Sequence, residues 1–371
     1  MHCVQHTPIR LDLPGMSASP QPPTSASPSA EATVVEPAAH GRTLARHPRP
    51  LGGDTARSRR DIKLTLTGMV LNNTDNQTQQ LRIGKKPDWL RAQAPGGEEY
   101  RRVRDIVNKH QLHTVCQEAS CPNIGECWSR GTATIMVLGD TCTRSCGFCN
   151  VKTGKPEPPD WDEPRRVAES LALMDLKHVV ITCVDRDDLP DSGAAFWAET
   201  VRQVHAACPN MSVEILTGDF KGVPEDIDAV CESRPEIIAH NLETVKRMHP
   251  TVRPQARYER SIEVLRQFKA HGLVTKTSLM VGIGETDEEV LRTMDDLRAA
   301  CEIEILTIGQ YLQPTRNHLP IDRWVTPEQF DMYKEQGLKR GFKVVESGPL
   351  VRSSYHAEEQ AAQLAGFEHA R

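Results

Sequence analysis

Six short apolar runs, separated by stretches of helical periodicity, occupy the middle of the chain and restrict it to one fold class. The runs are residues 134–138, 179–182, 213–216, 237–239, 278–281 and 305–308. Helical patterns fall between them at 164–176, 194–207, 224–231, 257–271 and 285–301. A strand that is apolar throughout has both faces covered. Alternation with helices of this length implies parallel βαβ units. Six strands predict an α/β fold, a partial (β/α)6 TIM-like barrel with N- and C-terminal extensions, with an open doubly wound sheet as the alternative. A last helix over 327–340 and a short strand over 343–346 lead into the tail.

In parallel α/β folds the chemistry sits beyond the C-terminal ends of the strands. The polar singularities of this chain fall there. Residues 142–149 follow the first run, Asp185-Arg186-Asp187-Asp188 the second and Asp219 the third. His240-Asn241-Leu242-Glu243 follow the fourth, Gly282-Ile283-Gly284-Glu285 the fifth and Gln310 the sixth. The glycine pair reads as a tight turn before a helix that begins near Thr286.

Residues 1–80 are rich in Ser, Pro, Ala and Arg and carry no sustained periodicity, so they are expected to be disordered. A start at Met69 and an organellar transit peptide are the other readings. Asp12, Glu31, Glu36 and Asp54 weigh against the transit peptide. The expected organisation is therefore a tail over 1–80, an extension over 81–131, the barrel over 132–310 and a C-terminal extension over 311–371. A net charge of −5 and 5% aromatic residues give no footprint for nucleic acid. No apolar run is long enough to span a membrane.

Eleven cysteines are distributed unevenly: six lie within residues 116–149. In a long chain without an apolar signal segment, such clustering points to metal or redox chemistry in a reducing compartment. Cys183, Cys208, Cys231 and Cys301 read as small buried apolar residues. Cys142, Cys146 and Cys149 form C-x3-C-x2-C after the first strand. Three thiolates on one loop hold three irons of a cubane cluster and leave the fourth open, whereas structural zinc wants four closed ligands. Cys116, Cys121 and Cys127 form a second triad, C-x4-C-x5-C. Zinc, with His110 or His113 as fourth ligand, stays open for that one.

The first triad resembles the signature of the radical S-adenosylmethionine (SAM) superfamily. In that superfamily the open iron chelates SAM, an electron from the cluster yields a 5′-deoxyadenosyl radical, and the aromatic residue before the last cysteine, here Phe148, lies against the adenine. The two triads in succession resemble one family, the lipoyl synthases. Further matching blocks are Glu118-Ala119-Ser120-Cys121-Pro122-Asn123, the stretch Ile181-Thr182-Cys183-Val184-Asp185-Arg186-Asp187-Asp188-Leu189, and His240-Asn241-Leu242-Glu243-Thr244. So are Thr307-Ile308-Gly309-Gln310-Tyr311-Leu312 and the tail Gly348-Pro349-Leu350-Val351-Arg352-Ser353-Ser354-Tyr355. The resemblance covers roughly 84–357.

The resemblance implies a sulfurtransferase of lipoate biosynthesis with SAM and two [4Fe–4S] clusters. Cys142, Cys146 and Cys149 would hold the radical SAM cluster, and Cys116, Cys121, Cys127 and Ser354 the auxiliary one. The substrate would be an octanoyl group on a lysine of a lipoyl carrier domain. Hydrogen is abstracted from carbons 6 and 8, and both sulfurs come from the auxiliary cluster. A serine oxygen is a hard ligand, poorly matched to iron–sulfur chemistry and therefore easily shed. The implied partners are octanoylated 2-oxoacid dehydrogenase E2 subunits, the glycine cleavage H protein, and a ferredoxin or flavodoxin donor. The implied location is the bacterial cytoplasm, with mitochondrion or plastid as the alternative.

Asp185, Arg186, Asn241 and Glu243 are candidates to hold the ribose and methionine ends of SAM, since carboxylates accept hydroxyls and arginine clamps a carboxylate. Loop capping is the competing reading. The sequence departs from the family at Thr217-Gly218, where a proline usually precedes Asp219-Phe220, at Ser278, where glycine is common, and at Cys183, where serine is common. These positions bear on substrate fit. The other functions considered are a methylthiotransferase, disfavoured by the missing basic RNA-binding region, and a zinc- or cluster-binding carrier without SAM chemistry.

Overall fold

The structure, a computed structural model, describes residues 84–369 apart from Asp175. The segment 1–80 and the Met69 start lie outside the described residues. An eight-stranded sheet orders the described chain. Its strands are β1 (His113–Thr114), β2 (Thr134–Val137), β5 (His178–Cys183), β6 (Ser212–Leu216), β7 (Ile237–Ala239), β8 (Val274–Val281), β9 (Ile305–Gln310) and β10 (Val344–Gly348). Between β2 and β5, the short strands β3 (Thr141–Cys142) and β4 (Lys152–Thr153) form a separate pair. From β2 to β10 every pairing in the main sheet is parallel; β1 adds to β2 antiparallel.

All six expected strands are present and follow one another in sheet order, which builds a partial TIM-like barrel. The short strand expected over 343–346 adds a seventh parallel strand: β10 pairs with β9 from Val344↔Ile305 to Gly348↔Gly309. The sheet therefore continues into the stretch assigned from sequence to the C-terminal extension. A second difference is α1 (Glu98–Lys109), ahead of the barrel, which buries Val103 and Val107. Two short helices that carry cysteines follow it, α2 (Val115–Glu118) and α3 (Ile124–Ser129).

The covering helices match the periodicity: α4 (Glu163–Met174), α5 (Ala194–Ala207), α6 (Pro224–Glu232), α8 (Tyr258–Ala270), α9 (Asp287–Ala300) and α10 (Pro327–Lys339). A single turn, α7 (His249–Val252), precedes α8. Helix α9 starts where expected: Thr286 and Glu289 form a reciprocal capping box that satisfies two otherwise orphaned N–H groups. The turn before it is closed by Glu285, whose carboxylate accepts from the N–H of Gly282 (2.7 Å) and of Ile283 (3.0 Å).

One end of the barrel is plugged. The final helix, α11 (Ala357–His369), packs Ala361 and Leu364 against Ile237, Val274, Ile305 and Val344. These are the first residues of β7, β8, β9 and β10. With that end filled by apolar burial, the open end is the one where the cysteine loop leaves β2.

Candidate active site

The loop of Cys142, Cys146 and Cys149 is pinned at several points. Thr143 donates its N–H (3.0 Å) and its hydroxyl (2.9 Å) to the Asp185 carbonyl, which fixes the loop to the end of β5. The N–H of Gly147 bonds the Val252 carbonyl at 2.9 Å, and the Leu319 N–H bonds the Gly147 carbonyl at 2.9 Å. Arg144, inside the triad, is 4% exposed. Its guanidinium grips Asp187 at 2.7 and 2.8 Å and Asp219 at 2.6 Å. Burial alone would raise the Asp219 carboxyl, but Arg144 outweighs it and holds the group well below the usual carboxylate range.

The second triad is held from the opposite end of the sequence. Cys116 lies on α2 and Cys127 on α3, and the Cys121 N–H closes back on the Cys116 carbonyl at 3.0 Å. The tail docks here: Asn123 Nδ2 donates to the Leu350 carbonyl at 2.7 Å, and the Tyr355 hydroxyl to Glu126 at 3.0 Å. Arg130 binds Glu358 and Glu359 at 2.8 and 2.6 Å. Ser354 thereby comes to lie 2.8 Å from the Thr134 hydroxyl at the start of β2. Asn150, next to Cys149, donates to the Glu118 carbonyl and the Ser120 hydroxyl, both at 3.2 Å, and ties the two cysteine loops together.

Both triads open into one cavity of about 470 Å³. All six cysteines line it, together with Ser354, Phe148, Asp185, Asn241 and Glu243. Strand β2 runs along the wall between the triads, with the alternate residues Thr134 and Met136 facing in. Burial pushes the Cys116 and Cys149 thiols up to about 11 and those of Cys127 and Cys146 to about 12. Metal that binds these sulfurs must displace their protons. The donors suit two open cubane clusters: three thiols in each set, the first on one loop and the second on α2, α3 and the turn between them, with Ser354 added to the second. His110 and His113, the candidate zinc ligands, do not line the cavity.

Four of the five expected SAM contacts line the cavity, and one does not. The side chain of Arg186 is buried elsewhere, on Asp188 at 2.8 Å and on the carbonyls of Glu157 (2.9 Å) and Leu138 (3.3 Å). Beyond the end of β5 the chain carries Asp185 into the cavity, while the bonds to Asp188, Glu157 and Leu138 hold Arg186 away from it. The arginine that does reach the cavity is Arg253, unremarked in the sequence. It is 7% exposed, donates to the Asn241 carbonyl at 2.8 Å, and keeps a buried Nε with no partner among the described residues. Asn241 donates to Glu243 at 3.0 Å and leaves its own Oδ1 buried without a partner among the described residues. Two orphaned polar atoms on one wall suit a polar ligand such as the methionine end of SAM.

Of the remaining positions, Gln310 holds its expected place and Cys183 does not. Gln310 faces the cavity but is fully engaged, its amide donating to the Val281, Tyr311 and Arg323 carbonyls and accepting from the Val325 N–H. Cys208, Cys231 and Cys301 are buried, as expected, whereas Cys183 lines the cavity. The glycine at 218 also has a physical reason: a Cβ there would sit 2.5 Å from Asp185 Oδ1.

A mostly parallel partial barrel with an open three-cysteine loop beyond its first parallel strand defines a radical SAM enzyme. The chain matches the model of the radical SAM superfamily over residues 136–297. It also matches that of the N-terminal domain of lipoyl synthase over 61–121. It is 54% identical over 274 residues to the lipoyl synthase of Flavobacterium johnsoniae, covering 74% of this chain and 95% of that one. The lipoyl synthase of Bacteroides fragilis is 56% identical with the same coverage. The mitochondrial lipoyl synthase of Nematostella vectensis is 54% identical, with 74% and 94% covered. The chain belongs to the lipoyl synthase family. It is a sulfur-inserting enzyme that works with SAM and two [4Fe–4S] clusters.

Proposed function

We propose that Cys142, Cys146 and Cys149 hold the radical SAM cluster, that Cys116, Cys121, Cys127 and Ser354 hold the auxiliary cluster, and that the octanoyl chain lies between them along β2. The observation that carries this reading is the single cavity lined by both triads and Ser354. When bound, the clusters and SAM supply one-electron cleavage to a carbon radical and the sulfur for carbons 6 and 8.

The protein's own residues bind, orient and shield. Phe148 offers an apolar wall for the adenine, continuous with Val252, Ile283 and Tyr311. Arg253 replaces Arg186 as the clamp for the SAM carboxylate, since guanidinium–carboxylate pairs are strong and directional. Asn241, Glu243 and Asp185 accept from the amino group and ribose hydroxyls. Burial raises the carboxyls of Asp185 and Glu243, which Arg144 and Arg253 respectively oppose. Met136, Ser278 and Met280 line the path of the alkyl chain. The α11 plug closes the far end, which keeps quenching solvent from the radical.

The substrate is a protein-bound octanoyl-lysine. Its carriers are the 2-oxoacid dehydrogenase E2 subunits and the glycine cleavage H protein, and its electron donor is a ferredoxin or flavodoxin. No described helix is long and apolar enough to cross a membrane; the bacterial cytoplasm is the proposed location. The proposed organisation keeps the extension over 81–131 as the auxiliary-cluster segment and the barrel over 132–310, with the C-terminal segment supplying Ser354.

Single-residue variants assayed anaerobically with SAM, dithionite and an octanoyl-lysine peptide test the assignment. Cys142→Ala is expected to abolish 5′-deoxyadenosine and to lose about half the iron. Cys116→Ala is expected to lose a similar share of iron and all sulfur insertion while still releasing deoxyadenosine. Deoxyadenosine lost in Cys116→Ala and kept in Cys142→Ala would reverse the assignment.

A further inference from the structure

Thr134 occupies an unusual place between the two parts of the auxiliary site. It opens β2, where the parallel ladder fixes its backbone opposite Val180. Its side chain is 6% exposed and faces the cavity. From this one rigid position it presents two donors. Its backbone N–H faces the Cys116 thiol. Its hydroxyl donates to the Ser354 oxygen at 2.8 Å. The two groups belong to segments more than two hundred residues apart in the chain, and Thr134 is where they meet.

A serine oxygen bound to iron has lost its proton and can only accept hydrogen bonds. In that state the Thr134 hydroxyl is a donor already in place. A charge-assisted bond to the oxygen fixes its direction and draws electron density away from the metal. When the Fe–O bond breaks, its electron pair stays on the oxygen and a proton from water restores the serine hydroxyl; the Thr134 hydroxyl still donates to it, so the released, partly buried side chain is not left unsatisfied. An easily shed ligand needs such a resting place.

We propose that Thr134 is a positioning residue that aims Ser354 at the auxiliary cluster and receives it on release. The proposal rests on the reading of Ser354 as a cluster ligand. By this account the hydroxyl matters and the methyl group does not. Thr134→Ser keeps the function, and the near-isosteric Thr134→Val loses it.

The test uses the full chain with Cys142, Cys146 and Cys149 changed to Ala, so that only the auxiliary cluster is loaded, with iron-57. Mössbauer spectra report whether one iron is distinct from the other three, and a redox titration gives the midpoint potential. The parent and Thr134→Ser should show the distinct iron. Thr134→Val should lose more than half of that signal and move the potential to more negative values, because one hydrogen bond to a ligand is gone. If Thr134→Val does not fold, Thr134→Ala removes the same hydroxyl and gives the answer. Ser354→Ala separates the two claims. If it keeps the distinct iron, the serine is not a ligand and both claims fall. If it loses the distinct iron while Thr134→Val keeps both signal and potential, only the role of Thr134 is overturned. A Thr134→Ser variant that behaves like Thr134→Val also overturns it.

Discussion

Arg144 and Asp219 meet at 2.6 Å with Asp219 fully buried, so a residue inside the first cysteine triad is bolted to the end of β6. Arg260 reaches the other carboxylate oxygen at 2.8 Å. Removing one partner of a buried ion pair costs about 3–5 kcal/mol. Arg144→Met is expected to lie near the lower bound, because Arg260 remains, and to lower the iron content of the radical SAM site. Because Asp219 is depressed, its contribution is present above the ordinary carboxylate pKa of about 3.9 and lost as pH falls below it. Acid titration of unfolding should show this loss in the parent and less of it in Arg144→Met.

Arg253, rather than Arg186, is the proposed SAM clamp, which separates two phenotypes. Hydrogen bonds to charged groups are worth about 1.5–3 kcal/mol. Arg253→Gln should therefore weaken SAM binding on the order of ten- to a hundredfold, read by equilibrium binding to the cluster-loaded enzyme. Arg186→Gln should lower Tm, through the carbonyls of Leu138 and Glu157 that it leaves behind, with SAM affinity unchanged. A SAM defect confined to Arg186→Gln would restore the original expectation.

How much of this was legible in the sequence follows the physics of each signal. The six strands and their helices are legible because burial on both faces leaves an uninterrupted apolar run, such as Val179-Val180-Ile181. The seventh strand was read, but its partner was not, since register with β9 is a tertiary fact that Val344-Val345 does not encode locally. Helix α1 was missed because charged residues dominate it and only Val103 and Val107 are buried. The first cysteine triad is legible in its spacing; the second, which spacing leaves open to zinc, and Ser354 are legible only through the family resemblance. Asp185 and Arg186 show the limit: both follow the end of β5, and only the tertiary partners of Arg186, Asp188 and the carbonyls of Glu157 and Leu138, separate them. Arg253 stands outside any strand end, after a helix of one turn, and no spacing rule marks it.

Gly309 tests how the tail is seated. A Cβ at this position would lie 2.0 Å from the Val351 carbonyl oxygen, and backbone cannot yield as a side chain does. Gly309→Ala should displace the segment that carries Ser354. The expected outcome is deoxyadenosine formation largely retained and sulfur insertion reduced at least tenfold, measured on the octanoyl-lysine peptide. Loss of both activities in equal measure would place the effect in the barrel as a whole.

His240 gives the fold a pH dependence of its own. Burial, reinforced by the nearby Arg253, pushes its pKa down to about 4. Its ring bonds the Thr217 carbonyl at 3.0 Å and the Ser261 hydroxyl at 2.9 Å. His249, also buried, falls to about 4. The unfolded chain takes up protons near pH 6.5 and the folded chain does not. Stability from these residues is therefore complete above about 6.5 and lost as pH falls toward 4, on the order of 3 kcal/mol each. Urea titrations across that range should show the decline, and His240→Gln should flatten part of it.

The most direct test of the account is to follow the sulfur. The auxiliary site would be reconstituted with heavy-isotope sulfide and the excess removed. A single round of reaction with SAM, dithionite and octanoyl-lysine peptide would then be run in unlabelled sulfide and read by mass spectrometry. The account predicts two heavy sulfurs in the product, deoxyadenosine alongside, and no labelled product from Cys116→Ala. Product carrying light sulfur from solution would contradict the claim that the Cys116, Cys121, Cys127 and Ser354 site is the donor facing the radical across the cavity.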